Sequence, residues 1–268
     1  MRVPTDAHEG PVYVAAEDAL YFTTRGGTVR RLDIASERVS DVPADVVRAN
    51  GMTLDHEGGL LICQQGSFDA PAAIRRYAHG ETSTVVDSWH GQPLNSPNDV
   101  VVKRDGTIWF TDPSYGFLQG FRPEPRLGDY VYRHDPASGD LDPVADSFDK
   151  PNGLAFSPDE SVLYVGDSEG PHHIVAFDVL DGRRLGPPRL FAVIEPGYPD
   201  GIKVDADGRV YSSCASGVQV FSPLGELLHE IDLPGAVHFA FGEHDDLFIT
   251  ADDAIWRKEL DPCFAHAE

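Results

Sequence analysis

The sequence predicts an all-β chain folded as a six-bladed β-propeller with four-stranded antiparallel blades. Three observations carry that expectation: a short grammar repeated six times, the period of the repeat, and the strand content of each copy. Each copy opens on a polar residue, usually followed by Gly or Asp, and continues through an apolar run, an acidic turn and a second apolar run. The copies begin Glu9-Gly10-Pro11-Val12, Asn50-Gly51-Met52-Thr53, Asn98-Asp99-Val100-Val101, Asn152-Gly153-Leu154-Ala155, Asp200-Gly201-Ile202-Lys203 and His238-Phe239-Ala240-Phe241. Successive leading positions lie 38 to 54 residues apart, close to the roughly 40 to 50 residues of a four-stranded propeller blade.

Strands, not helix pairs, fill these units. Asn98 to Asp112 reads as two short apolar runs around the turn Lys103-Arg104-Asp105-Gly106, and an Asp-Gly turn between branched and aromatic residues is a hairpin signal. Asn152 to Asp167 repeats this around Ser157-Pro158-Asp159-Glu160, and Asp200 to Ser213 around Asp205-Ala206-Asp207-Gly208. A third strand follows each hairpin, at Val29 to Ile34, Ile74 to Tyr77, Tyr130 to Arg133, Ile174 to Phe177, Val218 to Phe221 and Ile255 to Arg257. Helix is hard to find: Ala44 to Ala49 is short, and the N-terminal segment lacks a helical stripe.

The repeat runs from Glu9 nearly to the end of the 268 residues without a low-complexity linker, so one domain spanning 1–268 is expected. The 26 glycines and 21 prolines supply the turns. No run of 18 apolar residues occurs, which argues against a membrane partner. Met1 to Asp6 has no apolar core of a secretory signal, so the expected compartment is the cytoplasm. A net charge of −23, from 21 basic and 44 acidic residues, argues against nucleic acid as a partner, because it is a polyanion. The expected assembly is a monomer or a weak homo-oligomer. Cys63, Cys214 and Cys263 fall at unrelated positions with no Cys-x-x-Cys pattern and read as packed core thiols.

In a propeller the first strand of each unit is innermost, and the antiparallel second strand returns to the same rim. One face would therefore gather the six leading residues together with the polar ends of the second strands, Thr23-Thr24, Gln64-Gln65, Thr111-Asp112, Asp167-Ser168-Glu169, Ser212-Ser213 and Thr250-Ala251-Asp252. Taken singly, an Asn or Asp before Gly is ordinary turn chemistry. Taken together, with Glu9 and Asp200 acidic and His238 neither Asn nor Asp, a shared polar channel explains them better. The interval from Asn98 to Asn152 carries an extra loop, Gly116 to Arg126, on the active face, where it would act as a lid.

The stretch Leu94-Asn95-Ser96-Pro97-Asn98-Asp99-Val100-Val101-Val102, with Asp105-Gly106-Thr107-Ile108-Trp109-Phe110-Thr111-Asp112-Pro113-Ser114-Tyr115-Gly116, resembles the gluconolactonase branch of the senescence marker protein (regucalcin) and gluconolactonase family. Lys150-Pro151-Asn152-Gly153-Leu154 with Gly166-Asp167-Ser168, and Pro199-Asp200-Gly201 with Val204-Asp205, resemble later motifs of that family. The resemblance implies a six-bladed propeller that hydrolyses sugar lactones with one divalent cation at the channel rim. Carried over by motif, it implies Glu9, Asn152 and Asp200 as metal ligands, with Asn98 a further ligand or a substrate contact. His238 stands where many relatives carry Asn.

Two carboxylates with amide oxygens form a hard, oxygen-only donor set, which suits Ca²⁺ first and tolerates Mg²⁺ or Mn²⁺. Zn²⁺ stays open because His238 is near in the repeat. Such a cation polarises a lactone carbonyl and acidifies a water, with Asp200 as ligand and proton acceptor. Expected substrate contacts are Asn98, His90, Tyr115, Phe117, Tyr198 and His238, with Arg122 and Glu169 as further rim groups. His172-His173 opens a strand and reads as a surface or inter-blade pair. No Gly-x-Ser-x-Gly elbow, Walker or dinucleotide glycine pattern is present. The alternatives are a lactonase or phosphotriesterase acting on non-sugar substrates, and a calcium-binding propeller without catalysis.

Overall fold

Strands buried on both faces read as near-continuous apolar runs, and the second strand of each unit is of this kind. Every residue of Ile108–Asp112 and of Val210–Cys214 is buried, because one face packs on the preceding sheet and the other on the following one. The computed structural model describes residues 1–170, 172–243 and 245–260, and Cys263 lies outside them.

Six antiparallel sheets are arranged as a β-propeller. The first blade is Val12–Val14, Ala19–Thr23, Val29–Asp33 and Arg38–Asp41; the second is Ala49–Leu54, Leu60–Gln64, Ala73–Ala78 and Glu81–Val86. The third is Val100–Val102, Ile108–Asp112, Tyr130–Asp135 and Asp140–Ala145. Pro151–Phe156, Val162–Asp167 and His173–Leu180 begin the fourth, whose outer edge is Arg189–Val193, with Arg184–Leu185 on the far end of the third strand. The fifth is Ile202–Val204, Val210–Cys214, Gly217–Phe221 and Leu227–Asp232. The predicted turns close the hairpins: the Gly106 N–H donates to Lys103 O at 2.8 Å, and the Gly208 N–H to Asp205 O at 3.0 Å.

The sixth blade takes only three strands from the C-terminal part, His238–Phe241, Asp246–Ala251 and Ala254–Glu259. Its fourth is Arg2–Pro4, with Arg2 opposite Trp256, Val3 opposite Ile255 and Pro4 opposite Ala254. Pairing the first segment of the chain with the last closes the ring and covers a sheet edge that would otherwise template aggregation.

Apolar wedges hold the blades together. Trp109 and Val131 of the third blade pack with Leu154, Leu163 and Phe177 of the fourth, and Tyr211 and Val218 of the fifth with Phe239 and Ile249 of the sixth. The core therefore lies between sheets and leaves the axis to polar groups. Cys63 and Cys214 are free and buried in these wedges, and burial pushes the Cys63 thiol well up. Helix is confined to a 3₁₀ turn at Ala15–Glu17 and one turn at Tyr115–Leu118 among the described residues; Ala49 instead starts a strand. No helix there is long and apolar enough to cross a membrane.

Candidate functional site

The leading residues reach the axis because both of their backbone groups are fixed. The Asn98 N–H donates to Thr111 O at 2.9 Å, the Asp200 N–H to Ser213 O at 3.1 Å, and Glu9 O accepts the Thr23 N–H at 2.8 Å. Each is thereby tied to the second strand of its own blade. Neighbouring blades supply the other tie: the Gly51 N–H donates to Asn98 O at 2.8 Å and the Gly153 N–H to Asp200 O at 3.0 Å. A Cβ on Gly51 would sit 2.7 Å from Asp99 Cα, and one on Gly153 would sit 2.7 Å from the Ile202 nitrogen. The Asn-Gly pairs are therefore a spacing device between innermost strands, and only glycine allows the approach.

Glu9, Asn50, Asn98, Asn152 and Asp200, one from each of five blades, meet at one cavity of about 590 Å³. Glu9 is buried and Asp200 half-buried, its open side toward the cavity. The two carboxyls lie within hydrogen-bond reach of each other. Burial, then the charges of Asp200 and Asp99, raise the Glu9 carboxyl well above its ordinary range. Burial also raises Asp200, opposed by His238, His8 and a hydrogen bond from Asn152. Two buried like charges of this kind hold a proton between them or call for a cation.

The amides are oriented around the pair. Asn152 Nδ2 donates to Ser168 Oγ at 2.9 Å, and that hydroxyl donates to Pro199 O at 2.6 Å, which fixes the amide's orientation. Asn50 is buried with its Oδ1 lacking any hydrogen-bond partner among the described residues. An acceptor left so costs about 1–3 kcal/mol, and a cation or a ligand hydroxyl would relieve it. No three His, Cys, Asp or Glu among the described residues gather into a metal site. The donor set is instead two carboxylates with amide oxygens, the hard chemistry that suits an alkaline-earth ion.

The profile of the SMP-30/Gluconolactonase/LRE-like region matches residues 7–253. The chain belongs to this family. A gluconolactonase of Zymomonas mobilis is 31% identical, over 93% of this chain and 77% of its own. The 6-deoxy-6-sulfogluconolactonase of Pseudomonas putida is 30% identical, over 94% and 85%. Among solved structures, the Xanthomonas campestris gluconolactonase XC5397 is 38% identical with a TM-score of 0.86, covering 95% of this chain and 86% of that one.

In this member of the SMP-30/gluconolactonase family, Tyr115 and Tyr198 also line the cavity. Burial raises the Tyr115 hydroxyl, and the charge of Asp200 raises that of Tyr198. Three expected substrate contacts lie elsewhere. His90 is exposed at the tip of the hairpin Ser88–Trp89 and Gln92–Pro93, its ring against Trp89. Phe117 sits on the helical turn Tyr115–Leu118, 45% exposed, away from the cavity lining.

His238 is buried behind the cavity. The Phe239 N–H donates to its Nδ1 at 2.8 Å, and its Nε2 faces Asp99 Oδ2 at 3.3 Å. Asp99, missed from the sequence, stands in the third copy where four of the six leading pairs carry glycine, and it is the only charged residue to do so; that departure was its signal. Its carboxylate also accepts the Val100 N–H at 2.9 Å and the Leu154 N–H at 3.4 Å. Burial pushes it up, but Lys203 and His238 outweigh this and hold it below the usual range.

Several rim groups are structural. Arg122 is buried, donating to the carbonyls of Asn95, Leu94, Ser67 and Ala70 at 2.9 to 3.0 Å, and so fastens the extra loop instead of reaching the cavity. The second-strand ends repeat one role: Asp112 accepts the Asn95 and Ser96 N–H groups, Asp167 those of Asp149 and Lys150, and Gln64 that of Val47. Each holds the segment that leads into its own blade's first strand. His172, read from the sequence as a surface or inter-blade residue, lines the cavity with Glu169.

Proposed function

We propose that the chain is a lactone-hydrolysing enzyme acting on a sugar lactone, and that Glu9, Asn152 and Asp200, with Asn98 as a further ligand or a substrate contact, hold a divalent cation, Ca²⁺ first, at the mouth of the axial channel. The observation that carries this reading is that Glu9 and Asp200, far apart in the sequence, line one polar cavity, where the charge of Asp200 helps raise the Glu9 carboxyl. The named relatives supply the substrate class, and the oxygen-only donor set and the unpartnered Asn50 Oδ1 fit a hard cation.

When bound, the cation supplies Lewis acidity for the lactone carbonyl and for an attacking water. The chain's own groups do the rest. Asp200, half-buried where Glu9 is buried, takes the proton as the water oxygen bonds the carbonyl carbon. As the ring carbon–oxygen bond breaks, the ring oxygen receives that proton and leaves as the hydroxyl of the open acid. Asn152, oriented through Ser168, aligns Asp200. Tyr115 and Tyr198 contact the sugar hydroxyls, and Asn98 either joins the ion or binds the substrate beside it.

Hydrolysis of gluconolactone, followed by acid release with and without chelator and after Ca²⁺, Mg²⁺, Mn²⁺ or Zn²⁺ is restored, tests the proposal. Activity lost to chelator and returned by one of these ions supports it. Full activity of Asp200→Asn with its metal bound would remove Asp200 from the proton step. Chelation that lowers Tm while no lactone is turned over would leave a binding propeller.

A further inference from the structure

We propose that the cavity has a second, anion-binding end built on Arg48, and that the lactone turned over here carries an acidic substituent remote from its carbonyl. The proposal rests on the lactonase reading for where that carbonyl sits. Arg48 lines the same cavity as Asp200, two residues before Asn50. Its guanidinium carbon lies 4.2 Å from the centre of the Phe121 ring. With its guanidinium carbon seated over an aromatic face, the N–H donors that point away from the ring are left for an acceptor such as a carboxylate, sulfonate or phosphate.

Arg48 is exposed at the cavity, and no side chain or carbonyl among the described residues takes up those donors. In a chain with 44 acidic and 21 basic residues, cations find partners easily, as Arg76, Arg209 and Arg257 do with Asp55, Asp205 and Asp246. Arg48 has no carboxylate partner among the described residues. Its backbone is committed to this placement: φ is +56°, a left-handed conformation that disfavours a residue with a side chain, and its carbonyl accepts the Gln65 N–H at 3.0 Å.

The platform beneath it is rigid. Phe121 is buried, its N–H bonded to Gly116 O at 2.9 Å, and the adjacent Arg122 is bonded to four backbone carbonyls. Arg25, whose contact with Asp252 is a loose 3.5 Å, adds a second cation from the neighbouring blade. From the fourth and fifth blades the cavity takes Glu169, His172, Tyr198 and Asp200, with no lysine or arginine among them. Among the described residues, lysine and arginine thus enter the cavity lining only as Arg25 and Arg48, and a neutral polyhydroxy lactone would leave them unused.

The test compares gluconolactone with six-carbon lactones bearing a terminal carboxylate, sulfonate or phosphate, in the wild-type, Arg48→Met and Arg48→Lys proteins. The wild type is expected to favour at least one anionic lactone by about 10- to 100-fold in kcat/KM, chiefly through KM, as charge-assisted hydrogen bonds allow. Arg48→Met is expected to remove that preference, lowering the anionic substrate's kcat/KM far more than the neutral one's, and Arg48→Lys to keep part of it. Which anion is favoured identifies the substituent. No preference in the wild type, or equal losses for neutral and anionic lactones in Arg48→Met, overturns the proposal. If no lactone is hydrolysed, the lactonase reading falls, and calorimetric binding of gluconate against 6-phosphogluconate and its carboxylate and sulfonate analogues still decides. Tighter binding of an anion-tailed acid, abolished in Arg48→Met, upholds the anion site; equal binding overturns it.

Discussion

The Gly153 amide donates to the carbonyl of Asp200 at 3.0 Å, and nothing separates the two strands at that point. The placement of the proposed base thus depends on a hydrogen atom where every other residue has a side chain. Gly153→Ala would set a methyl against the Asp200 carbonyl and 2.7 Å from the Ile202 nitrogen. Backbone cannot yield as a flexible side chain does, so the strand carrying Asp200 must shift. The expected outcome is a loss of about 1–3 kcal/mol in stability with a fall of roughly 100-fold in lactone turnover. Gly186→Ala, where the new methyl would meet only ordinary contacts at 3.5 Å or more, should leave both within about 0.5 kcal/mol. Thermal melts and initial rates check the pair; equal behaviour of the two variants would dismiss the spacing argument.

Removing a charge from the carboxyl pair should act in opposite directions on stability and on catalysis. Glu9→Gln relieves a buried carboxyl that burial and the charge of Asp200 already disfavour, so the metal-free protein should melt no lower than wild type. Metal affinity and turnover should fall, the latter by about 100- to 10,000-fold for Asp200→Asn if it moves the proton. Melts in chelator, metal content by atomic emission, and rates with excess Ca²⁺ separate these effects. A Glu9→Gln protein that binds metal and turns over lactone as wild type would take Glu9 out of the site.

The repeat made the ring and the convergence of Glu9, Asn50, Asn98, Asn152 and Asp200 legible, because one-rim geometry follows from strand parity alone. His238 followed the same parity, yet its ring is turned back toward Asp99, since a partner 139 residues away cannot be inferred from spacing. The N-terminal closing strand was hidden for a similar reason: Arg2–Pro4 is too short to signal a strand and is specified by its pairing with Ala254–Glu259. Asp112, Asp167 and Gln64 looked like channel chemistry because polar residues that cap a neighbouring backbone and polar residues that meet a ligand have the same composition.

Asp112 should give the protein a stability that declines as pH rises. Burial pushes its carboxyl from 3.8 up to about 7, despite the two backbone N–H groups it accepts. A group raised on folding stabilises fully below its unfolded value and loses that contribution as pH climbs to the folded one. The window is therefore about pH 4 to 7, and the span corresponds to roughly 4 kcal/mol. Urea titrations of wild type and Asp112→Asn between pH 4.5 and 7.5 check this. The variant should be less stable at pH 4.5, since its amide nitrogen cannot accept an N–H, and should show a shallower decline with pH. Parallel slopes would mean that Asp112 stays ionised throughout.

Arg122→Met should loosen the loop that forms one wall of the cavity while leaving the ring intact. The guanidinium donates to four carbonyls on two stretches of chain, Leu94 with Asn95 and Ser67 with Ala70, from a buried position in the extra loop. A methionine fills the space but strands those carbonyls, at about 1–3 kcal/mol for each that water cannot reach. The loss falls on one side of the propeller, so the strand content seen by far-ultraviolet circular dichroism should persist. Phe117 and Leu118 are exposed already, and the freed backbone around them should become the first site of limited chymotryptic cleavage. Phe121 would lose its fixed seat and Arg48 its stacking surface, so KM should rise more than kcat falls. Cleavage no faster than in wild type would show that the hydrogen bonds of Gly116, Phe121 and Gln119 hold the loop without the arginine.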